Sequence, residues 1–258
     1  AGLLGWLFWR YLGWVQGQVI QAQEDLAVCV ERERHFTDDV AHELRNPLAG
    51  MRSTIDVALR TDHETDELRE SLGDCSLILE KMESRVDRLL MLARLDGKRV
   101  VFKEETIELA GLVEDCWRPL REEATLRDIV FENRVPAGLT CVSDRGCLAI
   151  VLANLLENGV QHAGVAQRIW VTADEESRGV VRVAVANTGC QLEAADVPLA
   201  FDKFWRGNGA LDCGGRHAGL GLPLVRRLTA ALGGEASGNV DENGVFTVSV
   251  VLNGSSIP

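Results

Sequence analysis

The stretch FTDDVAHELRNPLAGMRSTIDVAL, residues 36–59, sets the architecture. Its apolar residues Phe36, Val40, Leu44, Leu48, Met51, Ile55 and Leu59 recur at spacings of four and three, with charged residues between them. That rhythm places one apolar stripe along an α-helix. A second run, residues 68–93, repeats it with Leu68, Leu72, Cys75, Leu79, Met82, Val86, Leu89 and Ala93. The polar tetrad Thr61-Asp-His-Glu64 between the runs is short enough to return the chain antiparallel. Two helices with one stripe each cannot close a core. Pairing two such hairpins into a four-helix bundle buries all four stripes, so the pattern predicts a homodimer.

Upstream, the chain is polar and helix-forming, with no Pro or Gly between Gln18 and Asn46. Residues 1–15 are apolar and Trp-rich, interrupted only by Arg10. The run is shorter than the roughly 18–20 residues of a membrane span. Its Trp and Tyr content suits a membrane–water boundary, so this end is expected at a membrane. Downstream of Asp96-Gly97-Lys98, which reads as a hinge, the pattern changes. Short β-type runs at 129–133, 168–172, 180–186 and 245–252 alternate with helical patterns at 110–125, 145–162 and 220–232. Helices gathered on one face of a mixed sheet make an α/β sandwich. The predicted fold is α+β: a helical hairpin forming a dimeric four-helix bundle, then the sandwich. The parts are residues 1–34, a membrane-proximal segment and signalling helix; 35–97, the hairpin; and 98–253, the sandwich.

The formal net charge of −12 argues against direct binding to nucleic acid, whose affinity rests on Lys and Arg. Protein partners and small ligands remain. Seven scattered cysteines, odd in number and without a CxxC pair, make neither a disulfide framework nor a zinc knuckle. Reduced thiols are expected.

Within the first helix, Leu44 and Leu48 occupy the stripe, which turns His42 outward. Glu43 is adjacent and could take the imidazole proton that a nitrogen loses when it attacks phosphorus. Asn46 lies one turn along, where its amide could orient a water or a substrate. Pro47 removes the amide hydrogen that would bond the Glu43 carbonyl, which loosens the helix beside His42. A proline inside a helix costs about 3 kcal/mol.

The string His35-Phe-Thr-Asp-Asp-Val-Ala-His-Glu-Leu-Arg-Asn-Pro-Leu48 resembles the H box of the sensor histidine kinases. The resemblance implies that His42 is autophosphorylated and that Glu43 is its acid/base. It also implies that Asn46 serves hydrolysis of the phosphorylated partner, and that the partner is a response regulator receiver domain. It further implies the cytoplasmic portion of an inner-membrane protein.

Asn154, Asn158 and Gln161/His162 recur at three- to four-residue spacing on one helical face, behind Asp144 as N-cap. Amide oxygens suit a hard cation such as Mg²⁺. The segment Asn154–His162 resembles the N box of the same family, which implies that Asn158 holds Mg²⁺ and that Asn154 supports it. Asn187-Thr188-Gly189 follows a strand as the family's first glycine box does. Phe201–Arg206 resembles its F box, and Gly214–Leu222 its second glycine box. Here the glycines let the backbone approach phosphates, and a helix starting near Leu220 offers free N–H groups. Pro223 sits in its first turn, where a missing N–H costs nothing. The resemblance thus implies ATP and Mg²⁺, with Asn187, Thr188 and Gly189 at the adenine and His162 flanking it. Lys203 and Arg206 would meet the phosphate tail, and Gly219, Leu220 and Gly221 would form the phosphate-facing turn.

The sequence departs from the family in four places. Asn187 stands where Asp is usual, and an Asn oxygen accepts the same bond without charge assistance. Cys190-Gln191 replaces Pro-Gly, Gln161 a Lys or Arg, and His217 a Gly. Each change is expected to weaken ATP binding. These departures leave two alternatives beside the kinase: a kinase-impaired phosphatase acting through Asn46, and a non-catalytic dimeric scaffold.

Overall fold

A computed structural model of the chain describes residues 16, 44–45, 47–59, 65–96, 101–163, 166–177, 179–203, 205 and 219–253. It divides into two compact units, Ala1–Met82 and Glu83–Pro258. Helix α1 (47–59) and most of helix α2 (Thr65–Asp96) carry the two heptad runs. The heptad positions Phe36 and Val40 and the tetrad 61–64 lie outside the described residues.

In the single chain the stripes stay open. Leu48 is 51% exposed and Leu72 68%, with Ile55, Leu59, Leu79 and Val86 also exposed. Although the stripe position Cys75 is buried, apolar residues exposed in such number along both helices mark an association surface. Toward its C-terminal end α2 changes partner. The stripe position Ala93 is exposed, whereas its neighbour Leu92 is completely buried. Leu89, Met91 and Leu95 are half-buried against the same core as the sheet. The end of α2 therefore packs within the second unit.

That unit is built on a five-stranded sheet of order β2-β4-β5-β7-β6. Its strands are β2 (Val130–Asn133), β4 (Arg168–Ser177), β5 (Val180–Asn187), β6 (Glu235–Val240) and β7 (Phe246–Asn253). The β2–β4 pair is parallel and the other pairs are antiparallel. A separate antiparallel pair joins β1 (Glu105–Glu108) to β3 (Thr140–Ser143). Alternation drives the central strands: Val181, Val183 and Val185 of β5, and Phe246, Val248, Val250 and Leu252 of β7, are buried. Such period-two burial gives each strand one core face.

Helix α5 (Arg145–His162) packs with α3 (Leu109–Trp117) and α6 (Gly221–Ala231). It buries Leu148, Val151, Leu152, Leu155 and Leu156. Trp117 of α3 stacks on Phe131 of β2 with ring centroids 4.0 Å apart. The helix expected over 110–125 is interrupted. Pro119 has no amide hydrogen to continue the ladder, so α3 ends at Trp117, a 3-10 turn spans Arg118–Leu120, and α4 resumes at Arg121–Leu126. The five cysteines among the described residues, Cys75, Cys116, Cys141, Cys147 and Cys190, are free thiols. Burial pushes Cys116 and Cys141 up to about 11 and Cys147 to about 12.

Leu92→Ala removes a fully buried side chain from the shared core, a change that costs about 2–5 kcal/mol. The loss is expected in the sheet unit, read as faster hydrogen exchange of β4 and β5 amides. Unchanged protection there would show that the end of α2 is no part of that core.

Candidate nucleotide site

Helix α5 carries the site and is pinned at both ends. Asp144 is its N-cap, with Oδ1 accepting from Cys147 N at 2.8 Å and Oδ2 from Lys103 N at 2.8 Å. Burial alone would raise the Asp144 pKa, but these backbone donors outweigh it and hold the carboxyl below its ordinary value. At the other end Arg127 donates to the carbonyls of Val160 and Ala163, the latter at 2.5 Å, which satisfies acceptors the helix leaves open.

Between these anchors, Asn154 is only 6% exposed. Its Nδ2 donates to Ile150 O at 2.7 Å, and its Oδ1 has no hydrogen-bond partner among the described residues. A buried acceptor left unpaired costs about 1–3 kcal/mol, so the arrangement asks for a ligand. The oxygen lies against the start of α6: a Cβ on Gly221 would stand 3.4 Å from it. The structure thus brings together an N-box residue and the last glycine of the second glycine box. Asn158, one turn further along α5, is half-buried. Gly159 follows it because a side chain there would press on Ile169 of β4 at 3.3 Å.

Helix α6 starts as expected, with Gly221 at its first position, Leu220 as N-cap and Leu224 N donating to Leu220 O at 3.0 Å. Gly219 sits in the left-handed region at φ +60°, which turns the chain into the helix. The Leu220 side chain is buried in the core, so only its backbone is available to a ligand.

At the end of β5, Asn187 is 3% exposed and its Nδ2 donates to Thr188 O at 3.3 Å. The Thr188 hydroxyl donates to Gln167 Oε1 and accepts from Arg168 N at 3.0 Å. Its one donor is spent, which makes Thr188 a clamp between β5 and the start of β4. Gly189, at φ +75°, lies so close to Gln167 that a Cβ would stand 2.9 Å from Gln167 Cδ. His162 is at the exposed end of α5; desolvation of its imidazole and the nearby Arg127 guanidinium lower its pKa. Lys203 is half-buried after the 3-10 turn Leu199–Phe201, beside Asp202, which pairs with Arg226 at 3.2 Å. His42, Glu43, Asn46 and Arg206 lie outside the described residues, as does most of the second glycine box.

Sequence reasoning missed three residues that hold this site: Arg127, Gln167 and Arg88, the last paired with Glu157 on α5. The C-terminal end of a helix signals a need for cations, which hints at Arg127. Nothing in the spacing of Gln167 or Arg88 announces its partner.

An amide acceptor without a partner among the described residues, facing the glycine-entered start of α6, marks a candidate ligand site. Residues 143–255 match the family described as histidine kinase-, DNA gyrase B-, and HSP90-like ATPase, and residues 32–98 the His Kinase A (phospho-acceptor) domain. The two matches together span more than half of the chain, and it belongs to the sensor histidine kinases. It is 30% identical over 206 residues to the sensor protein kinase PmrB of Pseudomonas aeruginosa, which covers 80% of this chain and 42% of that protein. The fold is similar to that of the Acinetobacter baumannii histidine kinase AdeS, with TM-score 0.66 and 15% identity over 83% of this chain and 98% of that one. It is also similar to histidine kinase ThkA in its complex with response regulator TrrA, with TM-score 0.63 and 22% identity over 84% of this chain and 60% of that one. The chain spans about half the length of the curated relatives it matches.

Asp144→Ala is expected to cost about 1 kcal/mol of stability at neutral pH, the worth of an N-cap. Because the folded pKa is depressed, this contribution is present above the unfolded carboxyl value of about 3.9 and is lost as pH falls through the folded value. Urea unfolding of both proteins should therefore show a gap at neutral pH that closes in acid. A gap independent of pH would mean that the carboxylate charge has no part in the cap.

Proposed function

We propose that this chain autophosphorylates His42 from Mg-ATP and passes the phosphoryl group to an aspartate of a response regulator receiver domain. The observation that carries the reading is Asn154 Oδ1, a buried oxygen against the entry of α6 that is unpaired among the described residues, in a chain that also bears the H box. The amide oxygens of Asn154 and Asn158 are donors of the hard type that Mg²⁺ takes, so the residues present fit the ion. When bound, Mg²⁺ neutralises charge on the β- and γ-phosphates.

The chain's own groups do the rest. The N–H groups opening α6 receive phosphate oxygens, and Asn187 Oδ1 accepts the adenine amino group. Thr188 and Gly189 shape the adenine wall through Gln167. His162, whose pKa is lowered by desolvation and by Arg127, flanks the base. Lys203 and Arg206 complement the phosphate tail. A nitrogen of His42 attacks the γ-phosphorus, the bond to ADP oxygen breaks, and Glu43 takes the imidazole proton. Positioning and electrostatics supply most of the acceleration. Asn46 orients a water for the reverse function, dephosphorylation of the regulator.

The open leucine stripes of α1 and α2 support a homodimer that closes a four-helix bundle. We assign residues 35–97 to dimerisation and phosphotransfer, 98–253 to catalysis, and 1–34 to signal entry at a membrane. Among the described residues no helix is long and apolar enough to cross a membrane, and residues 1–15 lie outside them.

Incubation with labelled ATP tests the reading. The chain is expected to form acid-labile, base-stable phosphohistidine, and His42→Gln to form none while keeping its ATP affinity. Label on the Gln variant would move the acceptor to another histidine.

Asn158→Ala is expected to lose at least about tenfold in Mg-dependent ATP affinity, the cost of roughly 1.4 kcal/mol of ligand contact, with dimerisation intact. Calorimetric titration that shows equal affinity in Mg²⁺ would make this face of α5 mere surface.

A further inference from the structure

Arg88, on the part of α2 that belongs with the sheet unit, forms an ion pair with Glu157 of α5. The two side chains are only 22% and 31% exposed, so the pair is poorly screened by water. Glu157 directly precedes Asn158 and follows Asn154 by three residues, so it shares a turn of α5 with the amides proposed for Mg-ATP. One turn further along, Gln161 brings no cation. The end of α2 is held in place by Leu92, which is fully buried.

We infer that Arg88 is a positioning residue for nucleotide binding: it cancels the Glu157 charge next to the phosphate site, so that Mg-ATP affinity reports where α2 stands. With the pair closed, the site meets an anionic nucleotide without a competing carboxylate. If α2 shifts and the pair opens, Glu157 faces the phosphates uncompensated and repels them. A structural change in the helix that connects to the phosphoacceptor hairpin would thus be converted into a change in nucleotide affinity. The inference rests on α5 being the nucleotide helix.

A charge-specific pattern in calorimetric Mg-ATP titrations of the full chain tests it. Arg88→Gln is expected to weaken binding by about three- to tenfold at low salt, the size of one unscreened charge acting on a phosphate tail at about 10 Å. Raising the ionic strength should shrink that defect. Arg88→Lys, which keeps the charge, should bind like the unmodified chain. Glu157→Gln should bind no more weakly than the unmodified chain, and the Arg88→Gln, Glu157→Gln double variant should recover its affinity. A mere packing clip predicts otherwise: both single variants lose affinity alike and the double does not recover, and that outcome overturns the inference, as does an unchanged affinity in Arg88→Gln. The phosphohistidine assay separates this from the kinase reading. A chain that shows the charge pattern but forms no phosphohistidine sinks the kinase reading alone, whereas one that binds no nucleotide sinks both.

Discussion

Asn154 keeps a carbonyl oxygen out of water with no donor to satisfy it among the described residues, and the helices of the sheet unit are arranged so that this oxygen is held in place. A buried amide of this kind would ordinarily draw in water or rotate outward. Here its nitrogen is tied back to Ile150 O, a bond that any turn of the side chain would have to break. The helix that carries it cannot slide either, because Asp144 fixes its start and Arg127 its end. Large apolar residues of α5 and α6 are buried around it. Glycine at position 221 keeps the approach to that oxygen open, since a Cβ there would stand in contact with it at 3.4 Å. Unsatisfied polarity is tolerated where a ligand is to complete it.

The same logic explains what could be read from the chain alone. The heptads announced the helical pair, since a stripe of Leu at four and three has one structural solution. Helix α5 was legible to its ends, because Asp144 and the apolar face both declare it. The strands β4, β5 and β7 were legible from their Val-rich runs, although β4 continues five residues beyond the expected end into the polar Asp174–Ser177 segment. There the pairing with β5 sustains it, and pairing leaves no mark in the strand's own composition. Three strands went unread for that reason. β1 (ETIE), β3 (TCVS) and β6 (EASGNV) have weak or mixed propensity, and each exists by virtue of its neighbour. In the site, motif positions were legible and their supports were not. Gln167 against Gly189 is a contact across the sheet that no spacing encodes. The expected disposition of Thr188 toward adenine meets a hydroxyl whose donor is already engaged by Gln167, a partner that the motif does not encode.

Helix α2 belongs to two cores in succession. Up to Met82 it has the exposed leucine stripe of a hairpin that needs a partner; beyond it, Leu92 is buried with the sheet. The change from Ala93 to Leu92 as the inward residue marks the point where one packing demand replaces another. A continuous heptad reading runs through this point without noticing it, because both demands are met by leucines.

The sheet has consequences for how copies of the chain can meet. An open five-stranded sheet has two edges, and unpaired edge strands are templates for indiscriminate strand addition. β2 offers only four residues, with Glu132 paired to Arg134 at 2.7 Å and Arg134 lying over the Trp170 ring. β6 contains Gly238, where Val197 and Phe201 leave no room for a side chain, and carries Glu235 at its start. Brevity, charge and glycine make both borders poor seeds for intermolecular β-pairing. Self-association through the edges of this sheet is thereby disfavoured, which leaves its faces and the helices beside it as the surfaces by which the unit can meet other molecules.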